Sequence, residues 1–343
     1  MSPSGIITRV AGTGTAGDSG DDGPATEAQF SNPFGIAATA EGGFLITDLA
    51  DHVVRKVSAD GTITRVAGTG VAGNSGDDGP ATDAQLTGPA GIAVTPDGGF
   101  LIADAFSSVV RKVSAGGTIT RVAGTGTAGD SGDDGPATDA ELNVPAGVAL
   151  TADGGFLVTD AGAHVVRKVS AGGMITRVAG NGTSGNSGDD GAATDAQLNG
   201  PIGIAVTPDG GFLVADSGAQ VVRKVSAAGT ITRVAGTGTA GNTGDDGPAS
   251  DAELSTPAGM AVTGDGGFFF ADAANNEVRH VSGAGTITRV AGTGTAGNSG
   301  DDGPATGAEL STPVWVALTT DGDLLVTDSG NHEVRGVALS AGG

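Results

Sequence analysis

One stretch, Ala67–Pro89 (AGTGVAGNSGDDGPATDAQLTGP), returns almost unchanged six times along the 343 residues of this chain. A fixed spacing of this kind, with no insertions, indicates a repeat architecture in which each unit packs on its neighbours. We therefore predict one domain, residues 1–343, made of six 56-residue repeats. The Asp-Asp-Gly core of the stretch begins at Asp21, Asp77, Asp133, Asp189, Asp245 and Asp301.

Composition excludes several other repeat classes. Sixty-five glycines are spread through every unit, and a helical solenoid is excluded because each Gly inside a helix costs about 1 kcal/mol relative to Ala. The absence of cysteine excludes disulfides, thiolate metal sites and a Cys nucleophile. No apolar run approaches the ~18 residues of a membrane span, and the first residues, MSPSGIITRV, lack the features of a signal peptide. We expect a soluble chain.

Each unit contains four short apolar runs separated by turn residues. In the second unit they are Pro89–Thr95, Phe100–Asp104, Val109–Ser114 and Thr118–Ala123, which we name strands a, b, c and d. The runs are of strand length, rich in β-branched residues and bounded by Gly, Pro or Asp. No apolar stripe of helical period appears, so no helix longer than a turn is expected. Four antiparallel strands with one long link to the next repeat are typical of a β-propeller blade.

The two ends of the chain each carry part of a unit. It begins at a strand d (Gly5–Ala11) and ends after a strand c (Glu333–Leu339). The predicted fold class is therefore all-β: a six-bladed β-propeller with four antiparallel strands per blade, in which the first strand d completes the last blade. This pairing would cover an exposed strand edge, and we expect a monomer.

The units resemble NHL repeats of the bacterial type. They carry P-x-G-[IVM]-A in strand a, L-[IV]-[AT]-D in strand b, V-R-K-V-S in strand c and S-G-D-x-G-P-A-T in the loop. The resemblance covers almost the whole chain and implies a six-bladed propeller, in agreement with the number of repeats. One position departs from the family, because the Arg that usually opens strand c is replaced, so the family's Asp–Arg contact at this corner is expected to be absent. The replacing residues are Val53, Val109, Val165, Val221, Glu277 and Glu333.

The net charge of −23 is unevenly distributed. The Arg residues occupy two repeat positions, one in strand c and one in strand d, and each Lys follows an Arg of strand c. The six Gly-rich loops hold 22 of the 39 acids and no Lys or Arg. This pattern predicts an anionic face, here named the loop face, that attracts cations or basic peptides weakly. Nucleic-acid binding is excluded because a basic face is missing and aromatics make up only 3% of the chain.

The paired acids of the loops are candidate cation ligands. They offer carboxylate oxygens within Gly-rich backbone, which would suit weak Ca²⁺ binding. Their spacing matches no calcium-loop signature, and the alternative is that they cap turns by bonding nearby backbone groups. We favour turn capping and expect no bound cofactor or metal. The candidates are Asp21, Asp22, Asp77, Asp78, Asp133, Asp134, Asp189, Asp190, Asp245, Asp246, Asp301 and Asp302.

Catalytic groups are scarce. The acids that end strands b could form a ring of carboxylates, but identical copies cannot take the two different roles of acid–base catalysis. His52, His164 and His332 share one repeat position in the b–c loops of separate blades, too far apart to bind one zinc ion. We predict no enzyme activity; the alternative is a lyase or hydrolase of an NHL-related propeller family acting at the acidic loop face. The strand-b acids are Asp48, Asp104, Asp160, Asp216, Asp272 and Asp328.

Two aromatic residues break the repeat symmetry. Trp315, the only Trp, stands where the other five units have Gly, and Phe34 occupies the preceding position in the first unit. Both lie in strand a, which lines the channel of a propeller, and their blades are neighbours across the closure. The pair either packs the closing seam or forms an aromatic ligand patch. We predict a binding or scaffold propeller with a protein, peptide or small-molecule ligand, or an amplified or designed repeat without a selected ligand.

Overall fold

A computed structural model of the chain describes residues 5–339. All strands of this part belong to six antiparallel sheets, arranged as the blades of a propeller, and the strand order in each is a-b-c-d. Strands a of neighbouring blades contact one another and surround the central axis. The predicted six-bladed fold is confirmed.

The strands occupy equivalent positions in every repeat. Strands a are Pro33–Ala38, Pro89–Val94, Pro145–Leu150, Pro201–Val206, Pro257–Val262 and Pro313–Leu318. Strands b are Phe44–Asp48, Phe100–Asp104, Phe156–Asp160, Phe212–Asp216, Phe268–Asp272 and Leu324–Asp328. Strands c are Val53–Val57, Val109–Val113, Val165–Val169, Val221–Val225, Glu277–Val281 and Glu333–Val337. Strands d are Thr62–Ala67, Ile119–Ala123, Ile175–Ala179, Ile231–Ala235, Ile287–Ala291 and Ile6–Ala11.

Helical structure in residues 5–339 is limited to 3₁₀ turns of three residues. One set lies in the Gly-rich loops: Ala25–Glu27, Ala81–Asp83, Ala137–Asp139, Ala193–Asp195, Ala249–Asp251 and Ala305–Gly307. The other follows strand b: Ala105–Ser107, Ala161–Ala163, Ser217–Ala219, Ala273–Asn275 and Ser329–Asn331. The prediction that no helix exceeds a turn is therefore confirmed for this part of the chain.

The ring closes through its first strand. Ile6–Ala11 pairs antiparallel with strand c of blade 6, with Ile7 opposite Val337 and Arg9 opposite Arg335. Ile7 is fully buried in this position. The predicted completion of the last blade by the N-terminal strand is confirmed.

The Gly-rich loops cover the outer edges of the blades. Gly23–Pro24 and Gly303–Pro304 form two-residue strands against strand d of their own blades, and the other loops make a single bridge there, as between Pro80 and Thr118. Because an unpaired edge invites association with other chains, this pairing shields the outermost strand.

The hydrophobic core lies between blades. In blades 1 and 2, for example, buried Leu45 and Val54 cluster with Ile92 and Ile102 of the next sheet. The predicted end of strand a at Thr95 is one residue too late, because the Thr95 hydroxyl donates to Asp97 within the a–b turn. Besides these apolar side chains, the strands also bury charged ones, namely the Asp that ends strand b and the Arg of strand c.

Candidate functional site

A buried arginine of strand c fastens each Gly-rich loop to its own blade. In blade 4, Arg223 is fully buried. Its Nε donates to Asp189 Oδ1 at 2.8 Å. Its Nη1 and Nη2 donate to the carbonyl oxygens of Gln197 (2.6 Å) and Ser187 (3.1 Å). Nη1 also lies 3.5 Å from Oδ2 of Asp216, at the end of strand b. These charge-assisted bonds hold the loop against the sheet.

The equivalent arginine of strand c pairs with the equivalent loop acid in all six blades. In five blades the strand-b Asp pairs with the arginine of strand c, so an Asp–Arg contact is present although we expected none. That expectation was wrong because the third residue of strand c supplies the Arg instead of the first. The signal was available in V-V-R-K-V, where Arg shares the strand face of two buried Val residues. The loop pairs are Arg55–Asp21, Arg111–Asp77, Arg167–Asp133, Arg223–Asp189, Arg279–Asp245 and Arg335–Asp301.

The two acids of each Asp-Asp-Gly core have different surroundings. The first acid pairs with the buried arginine, whereas the second is exposed and has a positive φ, for example 66° at Asp78. The backbone N–H of Asp78 donates to the Ile119 carbonyl at 2.7 Å, and Asp tolerates this left-handed conformation well. Within residues 5–339, no group of three or more His, Cys, Asp or Glu is arranged to hold a metal ion.

The carboxyls that end strands b are buried and protonate readily. Asp216 is fully buried and accepts the backbone N–H of Asn199 at 2.6 Å. Burial raises its pKa to about 6, although the hydrogen bond from Asn199 and the charge of Arg223 oppose the shift. Burial likewise raises the pKa of Asp272 and Asp328 to about 6 and of Asp48, Asp104 and Asp160 to about 7.

Raising the pH from about 4.5 to about 7.5 is expected to lower the free energy of unfolding. These carboxyls have folded-state pKa values above their ordinary value of 3.8. The folded state therefore holds their protons more tightly, and this stabilisation is lost as the pH rises through 6 to 7. Urea unfolding at about 0.5 M salt, which screens the general repulsion between surface charges, measures the effect. Asp216→Asn should reduce the slope, and stability that increases over this range would contradict the prediction.

In five blades the side chain of the last b–c loop residue bonds to the next blade. Nδ1 of His164 accepts the backbone N–H of Gly200 at 3.1 Å, and Oε1 of Gln220 accepts that of Thr256 at 2.6 Å. Because Nδ1 of His164 is the acceptor, its neutral ring carries the proton on Nε2. The histidines therefore join blades and do not converge, as predicted from their spacing. His52 and Asn276 make the equivalent bond.

At some of the same joints between neighbouring blades, a Thr of strand b makes a second inter-blade hydrogen bond, nearer the axis. The Thr159 hydroxyl donates to the Ile202 carbonyl at 2.8 Å, and Thr47 and Thr327 do the same in their blades. Between blades 2 and 3 these positions hold Ala103 and Ser108, and neither side chain makes the bond. The closing seam from blade 6 to blade 1 has three such contacts: Thr327 to Phe34, Ser329 to Pro33 and His332 to Ser31.

Replacing His164 with Ala is expected to lower the free energy of unfolding by about 1 kcal/mol, because the N–H of Gly200 loses its acceptor. His164→Gln should retain most of the stability, since Gln220 makes the same bond one blade later. Chemical denaturation of the three proteins measures the difference. An equal loss in the Ala and Gln variants would show that the inter-blade bond contributes nothing.

The structure brings Phe34 and Trp315 together. Their ring centroids are 5.9 Å apart, Trp315 is 4% exposed and Phe34 is half-buried. The Trp ring lies across Gly259 of blade 5, where an added Cβ would be 2.3 Å from Trp315 Cδ2. The pair therefore packs within the apolar cluster at the axis, together with Val314.

Two large cavities lie between blades, on the side of the a–b and c–d turns. One, of about 910 Å³, lies between blades 3 and 4, extends to residues 262–264 of blade 5 and has Leu157, Val178 and Phe212 in its wall. The other, of about 800 Å³, lies between blades 1 and 2, extends to residues 318–320 of blade 6 and uses the equivalent Leu45, Val66 and Phe100. We call these two cavities the turn-side grooves. Sequence reasoning placed ligands on the loop face and missed these grooves, because no single strand contains them.

Thr hydroxyls and paired charges line the rims of the turn-side grooves. Lys168 Nζ lies 2.6 Å from Asp153 Oδ2, and its hydrogen bond holds the pKa of Asp153 well below the usual range. Arg177 Nη2 lies 3.0 Å from Asp130 Oδ1. In the other groove, Lys56 Nζ lies 3.6 Å from Glu41 Oε2. Because most of the rim charges are already matched, an ionised ligand would gain little from them.

The equivalent space between blades 5 and 6 is filled by side chains of the chain itself. Phe269 replaces the Leu and His280 replaces the Lys of the turn-side grooves, and their ring centroids are 4.4 Å apart. Val290 is fully buried there, whereas its counterpart Val178 is half-buried. The protein therefore contains an open and a closed form of the same groove.

Comparison with known proteins finds a matching repeat family and a distant curated relative. Residues 198–224 and 310–337 match the NHL repeat. Protein SUPPRESSOR OF QUENCHING 1, chloroplastic, from Arabidopsis thaliana is 29% identical over 288 residues, which cover 79% of this chain and 27% of that protein. The chain thus spans about a quarter of the length of this curated relative. No helix in the described residues has the length and apolar character to cross a membrane.

Solved structures of different function share the architecture. An auxiliary nutrient binding protein from Bacteroides thetaiotaomicron is similar with a TM-score of 0.70 at 14% identity, over 97% of this chain and 76% of that one. Virginiamycin B lyase from Staphylococcus aureus is similar with a TM-score of 0.54 at 13% identity, over 90% and 95%. At these identities the similarity shows the fold alone.

Proposed function

We propose that this chain, a six-bladed β-propeller with NHL repeats, is a non-enzymatic binding protein whose ligands occupy the turn-side grooves. The observation that supports this most is the repetition of one groove at two places, 112 residues apart in sequence, with equivalent side chains from two neighbouring blades in the wall. Volumes of about 910 and 800 Å³ lie in the range of small-molecule sites. Two ligands per chain are expected.

The lining favours a neutral, largely apolar small molecule that carries hydroxyl or carbonyl groups. Leu157, Val178 and Phe212 supply apolar surface. Thr151 and Thr207 also line the groove, and their hydroxyls donate to Asp153 and Asp209, which leaves their oxygen lone pairs as acceptors. Such apolar surroundings with a few polar groups are usual for ligand sites. A charged ligand would have to displace an existing ion pair, such as Lys168–Asp153.

The alternative is a lyase or hydrolase acting at the acidic loop face, and two observations favour binding over catalysis. The strand-b carboxyls with raised pKa values are fully buried, so they cannot touch a substrate. His52 and His164 use Nδ1 to hold the next blade. Turnover of a lactone or a cyclic ester by the purified chain would contradict the non-enzymatic part of this proposal.

Nile red, a neutral apolar dye, serves as the probe for the grooves. We expect two dyes per folded chain by fluorescence titration, and little binding of charged dyes of similar size. The control variant copies the groove that the protein itself fills: Leu157→Phe with Lys168→His should close one site and leave one dye per chain. Adding Leu45→Phe and Lys56→His should abolish binding. Unchanged binding in the fourfold variant, with circular dichroism showing a folded protein, would overturn the proposal.

A further inference from the structure

Two exposed apolar side chains stand out on the loop face of blade 2. Phe106 is 60% exposed and Val71 is 58% exposed. The other nine phenylalanines are buried or half-buried, so Phe106 is an exception among the large aromatic residues. Aromatic residues, including Phe, are enriched in protein interfaces relative to the rest of the surface.

Hydrogen bonds place Phe106 and Val71 on either side of one junction. The backbone N–H of Phe106 donates to the Thr87 carbonyl at 3.0 Å. The Thr87 hydroxyl donates to the carbonyl of Gly73, two residues after Val71, at 2.9 Å. The neighbouring Ser107 hydroxyl donates to the same Gly73 carbonyl at 3.3 Å. The b–c loop and the Gly-rich loop are therefore joined between the two apolar side chains.

The Phe106 ring is held in place by Gly88. A Cβ added to Gly88 would lie 2.4 Å from Phe106 Cδ2, so the ring rests directly on this glycine. At the equivalent Gly200 of blade 4, an added Cβ would meet nothing within 4 Å. A side chain that is fixed before binding loses less conformational entropy when a partner covers it.

Neither side chain is required by the fold. At the position of Phe106 the other repeats have Ala or Gly, and at the position of Val71 they have Thr. Their blades nevertheless have the same strands. The apolar pair is thus a property of blade 2 alone, in a protein whose repeats are otherwise nearly identical.

The charge around the pair indicates the kind of partner. The Gly-rich loop that carries Val71 has no Lys or Arg of its own, and its Asp78 and Asp83 are exposed, whereas Asp77 is paired with the buried arginine of strand c. One further cation reaches this loop, since Arg65 Nη1 lies 3.5 Å from the Thr69 carbonyl oxygen.

A second copy of this chain would bring another loop face rich in acids and poor in cations against the first, and like charges would oppose contact. We propose that Phe106 and Val71 form a docking site for a basic peptide segment that carries aliphatic side chains. The aliphatic groups would cover the pair while Lys or Arg residues approach the exposed carboxylates of Asp78 and Asp83 in the same loop.

Fluorescence anisotropy with a fluorescein-labelled peptide of alternating Lys and Leu tests the site. At about 150 mM salt, where free surface charges are screened over ~8 Å, Phe106→Gly with Val71→Thr should weaken binding at least about tenfold. Both replacements occur naturally at these positions in other repeats, so the variant should fold. Met174→Thr, which removes another exposed apolar residue and introduces the Thr found at four of its five counterparts, is the control and should bind like the parent.

Three further results decide the proposal. A peptide of alternating Lys and Gly should bind the parent and the double variant equally, because it lacks the aliphatic groups. Binding of the Lys-Leu peptide that stays within about twofold of the parent in the double variant, or a parent dimer that the double variant disrupts in sedimentation, would overturn it. The fourfold variant that closes the turn-side grooves should bind the peptide like the parent. A failure of the groove proposal can therefore be distinguished from a failure of the peptide-docking proposal.

Discussion

A chain that lacks residues 1–11 is expected to lose several kcal/mol of stability, or to associate into oligomers, because blade 6 loses its outer strand. The truncation removes the strand that pairs with Glu333–Val337 and takes away the buried side chains of Ile7 and Ala11. Burying one Ile contributes about 1.5–3 kcal/mol, before the hydrogen bonds of the strand are considered. Urea unfolding and light scattering measure the two outcomes.

A circular permutant provides the control for this truncation. Moving residues 5–11 behind Leu339 through a short Gly-Ser linker makes blade 6 continuous while keeping every strand. We expect the permutant to be monomeric and about as stable as the parent. A truncated chain that unfolds like the parent and remains monomeric would contradict closure by the first strand.

Arg223→Met is expected to lower the free energy of unfolding by about 3–5 kcal/mol, because it leaves Asp216 buried without its partner. The substitution also removes donors to the Gln197 and Ser187 carbonyls, so the Gly-rich loop of blade 4 would detach from strand c. The expected signature is low stability together with early protease cleavage near Asp189. Chemical denaturation and limited proteolysis measure these two effects.

The matched control changes the other arginine of the same blade. Arg233 in strand d is 39% exposed and lies 3.9 Å from Asp189 Oδ2. Because exposed ion pairs contribute about 0–1 kcal/mol, Arg233→Met should have little effect. Similar losses in the two variants would mean that burial does not decide the contribution of these arginines.

The fold could be predicted because every repeat carries the same pattern of strand and turn residues. The 56-residue period, four β-branched runs per unit and a strand d at the start were sufficient for the number of blades and for closure. The proximity of Phe34 and Trp315 followed from the same topology. Each of these inferences needed only the order of strands along the chain.

The contacts between repeats were harder to predict. Arg223 appeared to be one of many outer-strand cations, because the strand pattern does not show that a loop 26 to 36 residues away folds over it. The turn-side grooves combine residues of three blades, and their volume depends on how far those blades separate. Such distances are set by packing in three dimensions and are not encoded in any one motif.

A closed propeller can open only if the contacts between two neighbouring blades break. The six joints between neighbouring blades of this protein are not equally strong. The joint between blades 2 and 3 lacks both inter-blade side-chain bonds that the joint between blades 3 and 4 has. It also contains Val144 at a φ of 56°, a strained conformation for a β-branched residue that Thr256 and Thr312 share at the two joints before the closing one, where an inter-blade side-chain bond is present. Local opening should therefore begin at this joint, which is two joints away from the closing joint between blades 6 and 1. The first and last described strands lie in blade 6, beside the most firmly bonded joint, so the blades would separate in the middle of the sequence before these two strands are released.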